Sequence, residues 1–265
     1  MKTLHHKNYE YIKTLIKHGE TVMLEGEAGS GKTTLLMQIA KALKTTFYSI
    51  TGTQQTSVAN LLGFIAVNGT YISTQLRQAY EFGGLYLMDE YDAFNPNTIL
   101  ALNSIENGFL AFPDKVVYAH KDFILCATCN PSNQHAAFTG RSKQDAAALD
   151  RFLNVPLDRD PSLELGLTSK RATAYANKMR TLLKDTGVRT RVISMRDVMR
   201  FNRLDTLYSA GVISHNPVNT LIGGNVELTE DMTKFSEQLR ISTLTIQDAA
   251  NIDELYKIIK AKKDS

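Results

Sequence analysis

The sequence predicts an α/β domain built on a parallel sheet, followed by a mainly helical module. Three observations predict it. Helical and strand patterns alternate from the N-terminus. Two strand-length runs, LYLM at 85–88 and FILCA at 123–127, are apolar throughout, as strands covered on both faces must be. From about residue 160 onward the strand patterns stop and helical ones take over. Residues 1–157 are therefore assigned to the α/β domain, and residues 158–265 to a helical lid and C-terminal tail.

In chain order, Tyr9, Ile12 and Ile16 recur at helical spacing until Gly19, a suitable terminator, and TVMLE at 21–25 is a buried strand. Leu36, Ile39 and Leu43 line the next helix, and FYSI at 47–50 the next strand. Two hairpins interrupt the alternation. Residues 64–67 and 70–72 flank Asn68-Gly69, which suits a type I′ turn, and residues 109–112 face 116–118 across Pro113, Asp114 and Lys115. Between the LYLM strand and the second hairpin, Asn95 caps a helix with Pro96 at its first position, expected to continue until Gly108. In the helical module Ala172, Tyr175, Ala176, Met179 and Leu183 share a face. Ser194 and Asp197 form a capping box that starts a helix carrying Arg196, Arg200 and Arg203 on one side.

With 43% hydrophobic and 22% charged residues the chain buries a core, and with no run of 18 apolar residues it has no membrane-spanning segment. The N-terminal MKTLHHKNYEYIK lacks the apolar stretch of a secretory signal, and two cysteines cannot make a disulfide framework, so a cytoplasmic location is expected. The net charge of +3 falls entirely after residue 156. Residues 170–203 hold ten Lys or Arg against Asp185 and Asp197, which reads either as solvated helix faces or as an anion-binding surface.

The strongest local signal is Gly26-Glu27-Ala28-Gly29-Ser30-Gly31-Lys32-Thr33, a full G-x-x-x-x-G-K-[ST] between a strand and a helix that continues through Thr34. Backbone N–H groups and a helix N-terminus cradle phosphates, Lys32 reaches the β and γ phosphates of ATP, and Thr33 offers a hydroxyl to Mg²⁺. Asp89 and Glu90 follow an apolar strand, where Asp89 orients the magnesium shell and Glu90 polarises an attacking water. On these two motifs alone a kinase acting on a small acceptor stays open. Cys126-Ala-Thr-Cys129 lies in a buried strand without a second pair, and His5-His6 lacks partner spacing, so neither is assigned a metal.

Taken together the motifs resemble the AAA+ ATPases, and within them the branch of MoxR-type ATPases, the ATPase subunit of cobaltochelatase and the McrB-like and dynein-related proteins. LLGFIAVNGTYISTQLRQAYEFGGLYLMDEYDAFNPNTILALNSIENG resembles that branch's helix-2 insert, Walker B strand and following helix. FILCATCNPSN resembles the sensor-1 strand, which implies Asn130 as sensor. DAAALDRF at 145–152 resembles the arginine-finger segment and implies Arg151, with Arg141 in TGRSK as the competing cation. ISMRDV at 193–198 resembles the start of the sensor-2 helix and implies Arg196. The resemblance spans roughly residues 20–203. It implies a P-loop AAA+ fold, a homo-oligomeric ring, a hexamer in the family, and mechanical remodelling of a protein partner. The alternative output is a nucleic-acid motor or loader that uses the basic lid.

Overall fold

The computed structural model describes residues 4–131, 146–185 and 192–214, and its contacts divide the chain into Met1–Asp160 and Pro161–Ser265. In the first unit, helix α1 (Tyr9–Lys17) turns Tyr9, Ile12 and Ile16 inward. Strand β1 (Val22–Glu25) leads to α2 (Lys32–Ala42) and β2 (Phe47–Thr51). After α3 (Val58–Leu62), β3 (Phe64–Ile65) and β4 (Tyr71–Ile72) form a small hairpin, followed by α4 (Gln75–Phe82) and β5 (Gly84–Asp89). Then come α5 (Pro96–Leu100), the hairpin of β6 (Phe109–Ala111) and β7 (Val116–Tyr118), β8 (Phe123–Cys129), α6 (Ala146–Asp150) and β9 (Leu153–Pro156).

Five strands pair in parallel in the order β2-β5-β8-β1-β9. Successive side chains leave a strand on opposite faces, so Val22, Leu24, Leu85, Leu87 and Cys126 pack with α1 and α2 on one side. Met23, Tyr86, Met88, Leu125 and Ala127 pack on the other with α3, α4 and the segment after β5. Both faces are covered, which is why these strands are apolar without alternation. Cys126 lies wholly inside β8, where burial pushes its thiol up to about 12.

Three local features differ from the sequence reading. The pattern at LNVP does not disclose β9, an edge strand whose last residue is proline; it is defined only by pairing with β1. The helix opened by Asn95, whose side chain accepts from Asn97 N–H at 3.0 Å, gives way after Leu100 to three-residue turns. Leu102 N–H donates to Ile99 O at 2.9 Å and Ile105 N–H to Leu102 O at 3.0 Å. The buried Ile99, Leu102 and Ile105 are spaced by three, a repeat that 3₁₀ geometry aligns on one face and an α-helix does not. Finally, the first hairpin is not type I′. Only Lys44 and Glu90 among described non-glycine residues have positive φ, so Asn68 does not, while Gly69 has φ 79°. Gly69 N–H donates to Ala66 O and Asn68 Oδ1 accepts from Thr70 N–H, the pattern of an ordinary turn closed by a left-handed glycine.

The second unit consists, among its described residues, of α7 (Pro161–Leu167), α8 (Lys170–Asp185) and α9 (Met195–Ser209). Ala172, Tyr175, Ala176 and Met179 are buried with Val198 and Phe201; the side chain of Leu183 and residues 215–265 lie outside the described residues. The expected capping box is formed, with Ser194 Oγ accepting from Asp197 N–H at 3.2 Å and Asp197 Oδ2 from Ser194 N–H at 3.0 Å. No helix among the described residues is long and apolar enough to cross a membrane.

Candidate functional site

Parallel pairing brings the carboxyl ends of β1, β5 and β8 to one edge of the sheet: Glu25 is in register with Cys129, and Met88 with Ala127. The Gly26–Thr34 segment and Asn130 follow two of these ends, and Asp89-Glu90 stand at the third, the place where open α/β sheets bind ligands.

Two of the loop glycines serve different physical needs. At Gly26 a Cβ would meet Leu157 O at 2.4 Å, so glycine is dictated there by the backbone crossing from β9. Gly31 has φ 94° and open space around it; its left-handed conformation starts α2 and turns the helix N-terminus toward the loop. Lys32 Nζ donates to Gly26 O at 2.6 Å, Glu27 O at 3.0 Å and Asn130 Oδ1 at 3.3 Å. Burial pushes Lys32 below the usual lysine range, while Asp89, Asp92 and Glu90 act in the opposite direction. Within the same loop Ser30 Oγ is buried without a hydrogen-bond partner, whereas Glu27, Ala28 and Thr34 are exposed around it.

Thr33 opens α2 facing β5, and its hydroxyl lies 3.2 and 3.0 Å from the two oxygens of Asp89. Thr128, fully buried on β8, donates to Asp89 Oδ1 and accepts from Glu90 N–H at 3.0 Å. Glu90 itself sits at φ 55°, ψ 51°, a left-handed conformation that costs a non-glycine residue about 1–2 kcal/mol. The Thr128 hydroxyl holds the backbone in that turn and leaves the Glu90 side chain exposed beside Asp89.

The structure thus brings Lys32, Thr33, Asp89, Glu90 and Asn130 together. Arg151 is elsewhere in the same unit: Nη2 donates to Asn103 Oδ1 at 3.1 Å, Nε lies 3.5 Å from Glu106 Oε1, and the side chain is 6% exposed. Arg196 is exposed in the first turn of α9, in the second unit. Arg141 lies outside the described residues.

Residues 21–152 match the sequence model of the AAA domain, dynein-related subfamily. The chain carries an AAA domain of the dynein-related subfamily. Among proteins similar to it, midasin of Giardia intestinalis is 29% identical over 159 residues, 57% of this chain and 3% of midasin. The denitrification regulatory protein NirQ of Pseudomonas aeruginosa is 28% identical over 133 residues, 48% of this chain and 51% of NirQ. The chain thus spans about half of NirQ and a small part of midasin. A crystal structure of NtrX from Brucella abortus in complex with ADP shares the fold at a TM-score of 0.53 and 14% identity, over 98% of this chain and 62% of that one.

The matched residues include the Gly26–Thr34 loop, Asp89, Glu90 and Asn130. Sequence reasoning missed Thr128, because a threonine inside an apolar run looks like strand propensity; its place near the end of β8, two residues before Asn130, was the available signal. Asn103 and Glu106 left no signal at all, since the irregular turn that presents them was expected to be helix.

Proposed function

We propose that the AAA domain hydrolyses Mg-ATP at interfaces between protomers of a ring and uses the cycle to remodel a protein partner. The observation that carries the reading is the Thr33–Asp89–Thr128 cluster with Glu90 held beside it. The buried, unpartnered Ser30 hydroxyl and the inward ammonium of Lys32 fit a phosphate chain. Thr33 and Asp89 fit magnesium, a hard ion that takes oxygen ligands and draws much of its shell from phosphate and water. Magnesium, when bound, neutralises charge on the β and γ phosphates.

Within that site Lys32 holds the phosphates and Glu90 accepts a proton from a water that attacks the γ phosphorus as the bond to the β-phosphate oxygen breaks. Asn130 supplies an amide to orient the water or the γ phosphate. Arg151 of a neighbouring protomer stabilises the charge that develops in the transition state, and Arg196 has the second-sensor role. The nucleic-acid alternative has less to draw on than the sequence suggested. Arg180 donates to the wholly buried Glu164 at 2.9 and 2.8 Å and to Ile193 O, and Arg171 Nε lies 3.3 Å from Asp205 Oδ2. Two of the basic groups in residues 170–203 are thus offset from within the helical unit.

Glu90→Gln tests the reading. The amide keeps the shape and loses the base, so hydrolysis should fall by roughly 10²- to 10⁴-fold while ATP binding survives. With ATP the variant should accumulate as a larger assembly by size-exclusion chromatography and retain a protein partner in pull-down. Wild-type turnover in this variant would overturn the assignment.

A further inference from the structure

We propose that Asn103 and Glu106 form a latch on Arg151, which the arginine must leave before it can act on the nucleotide of a neighbouring protomer. The proposal rests on the reading of Arg151 as a residue acting in trans.

Arg151 directly follows α6, yet its side chain is 6% exposed and is turned into its own unit. The hold is weak on one side. Nη2 makes a hydrogen bond of 3.1 Å to Asn103 Oδ1, but Nε is buried without a hydrogen bond, its contact with Glu106 at 3.5 Å being an ion pair only. Glu106 is 56% exposed, so water and salt screen the attraction and its contribution is modest.

The backbone that carries Arg151 is fixed more firmly than the guanidinium. The Tyr91 ring meets the Phe152 ring edge-on at 5.2 Å, and Tyr91 Oη donates to Ala148 O at 3.4 Å. Burial pushes the Tyr91 phenol up to about 12, so it remains a donor at neutral pH. Phe152 N–H donates in turn to Leu149 O at 3.0 Å. Changing the side-chain rotamers of Arg151 therefore frees the guanidinium without unpacking α6. Both halves of this arrangement, the anchor at Tyr91 and the latch at Asn103 and Glu106, lie on the segment between β5 and β6. Asn103 and Glu106 are thus positioning residues that act through Arg151.

The test is ATP turnover by the full chain as a function of protein concentration, for wild type, Glu106→Ala, Asn103→Ala, Arg151→Ala and the double variant Glu106→Ala with Arg151→Ala. Glu106→Ala and Asn103→Ala should each reach half-maximal turnover at a protein concentration about two- to fivefold lower than wild type, as expected for losing a partly exposed restraint. Arg151→Ala and the double variant should be equally inactive, and the melting temperatures of Glu106→Ala and Asn103→Ala should not exceed that of wild type, so that greater stability does not explain their gain. If Arg151→Ala is inactive but Glu106→Ala and Asn103→Ala match wild type or need more protein, the latch is overturned and the trans reading stands. If Arg151→Ala turns over like wild type, the trans reading fails and the latch with it.

Discussion

Thr128 contributes to the site through a single hydroxyl. It donates to Asp89, accepts from the Glu90 amide, and so fixes two functional groups at once. Thr128→Val keeps the volume but leaves the Glu90 N–H without that partner. Hydrolysis should drop roughly 10- to 100-fold with the dissociation constant for ATP changed less than about threefold, by analogy with partners that orient metal ligands. A matched loss of nucleotide binding, measured by calorimetry, would show that Thr128 shapes the loop instead. Lys32 has the opposite signature. On the proposed reading its ammonium offsets phosphate charge in a buried setting, so Lys32→Ala should weaken ATP binding by roughly 10²-fold or more, read with a fluorescent nucleotide.

At the scale of elements, Arg77 on α4 joins parts of the chain that are distant in sequence. Its guanidinium pairs with Asp114 in the turn between β6 and β7 at 2.7 Å and with Glu81 at 2.7 Å, and lies 5.2 Å from the centre of the Tyr71 ring and 4.7 Å from that of Phe112. Lys115 adds a second contact to Glu81 at 2.9 Å. Hydrogen bonding from Arg77 holds the carboxyls of Glu81 and Asp114 below the usual range, with Lys115 also acting on Glu81. A carboxyl whose pKa is lower folded than unfolded adds stability above its unfolded pKa and loses it as the pH falls through the folded value. Acidification from pH 7 to about 3 should therefore lower the Tm of wild type more than that of Arg77→Met. At pH 7 the variant should melt roughly 2–6 °C below wild type. Parallel Tm curves for the two proteins would remove the network from the acid response. The exposed side chains of Phe64, Ile65, Val67 and Ile72 on one hairpin and of Val116 and Tyr118 on the other belong to the two elements that Arg77 links.

For the whole molecule, the proposed action of Arg151 on a neighbour's nucleotide would make activity a property of the assembly. Chains bearing Arg151→Ala and chains bearing Lys32→Ala, each inactive alone, should recover part of wild-type turnover when mixed, because an intact Lys32 site can then receive an intact Arg151. No recovery in rings shown by native mass spectrometry to be mixed would count against action in trans. With Arg171 and Arg180 paired inside the helical unit, DNA should bind no tighter than about 10⁻⁵ M at physiological salt, the range of non-specific phosphate contacts. Fluorescence anisotropy at two salt concentrations measures this. Sub-micromolar binding with a steep salt slope would favour the nucleic-acid alternative.

The sequence by itself determined the elements whose side chains follow a period and the motifs whose chemistry is local. Continuous apolar runs marked β5 and β8, the spacing of Tyr9, Ile12 and Ile16 marked α1, and the glycine-lysine-threonine order marked the loop after β1. Tertiary structure decided what depends on contacts between distant residues. The edge strand β9 is created by pairing with β1, since LNVP has too little pattern to stand alone. The expected helix after Asn95 breaks because Ile99, Leu102 and Ile105 bury together at a spacing of three, a preference that only the core can express. Thr128 joins Asp89 because parallel register sets β8 beside β5. Arg151 is turned inward by Asn103 and Glu106, residues nearly fifty positions away that only the irregular turn brings within reach of its guanidinium.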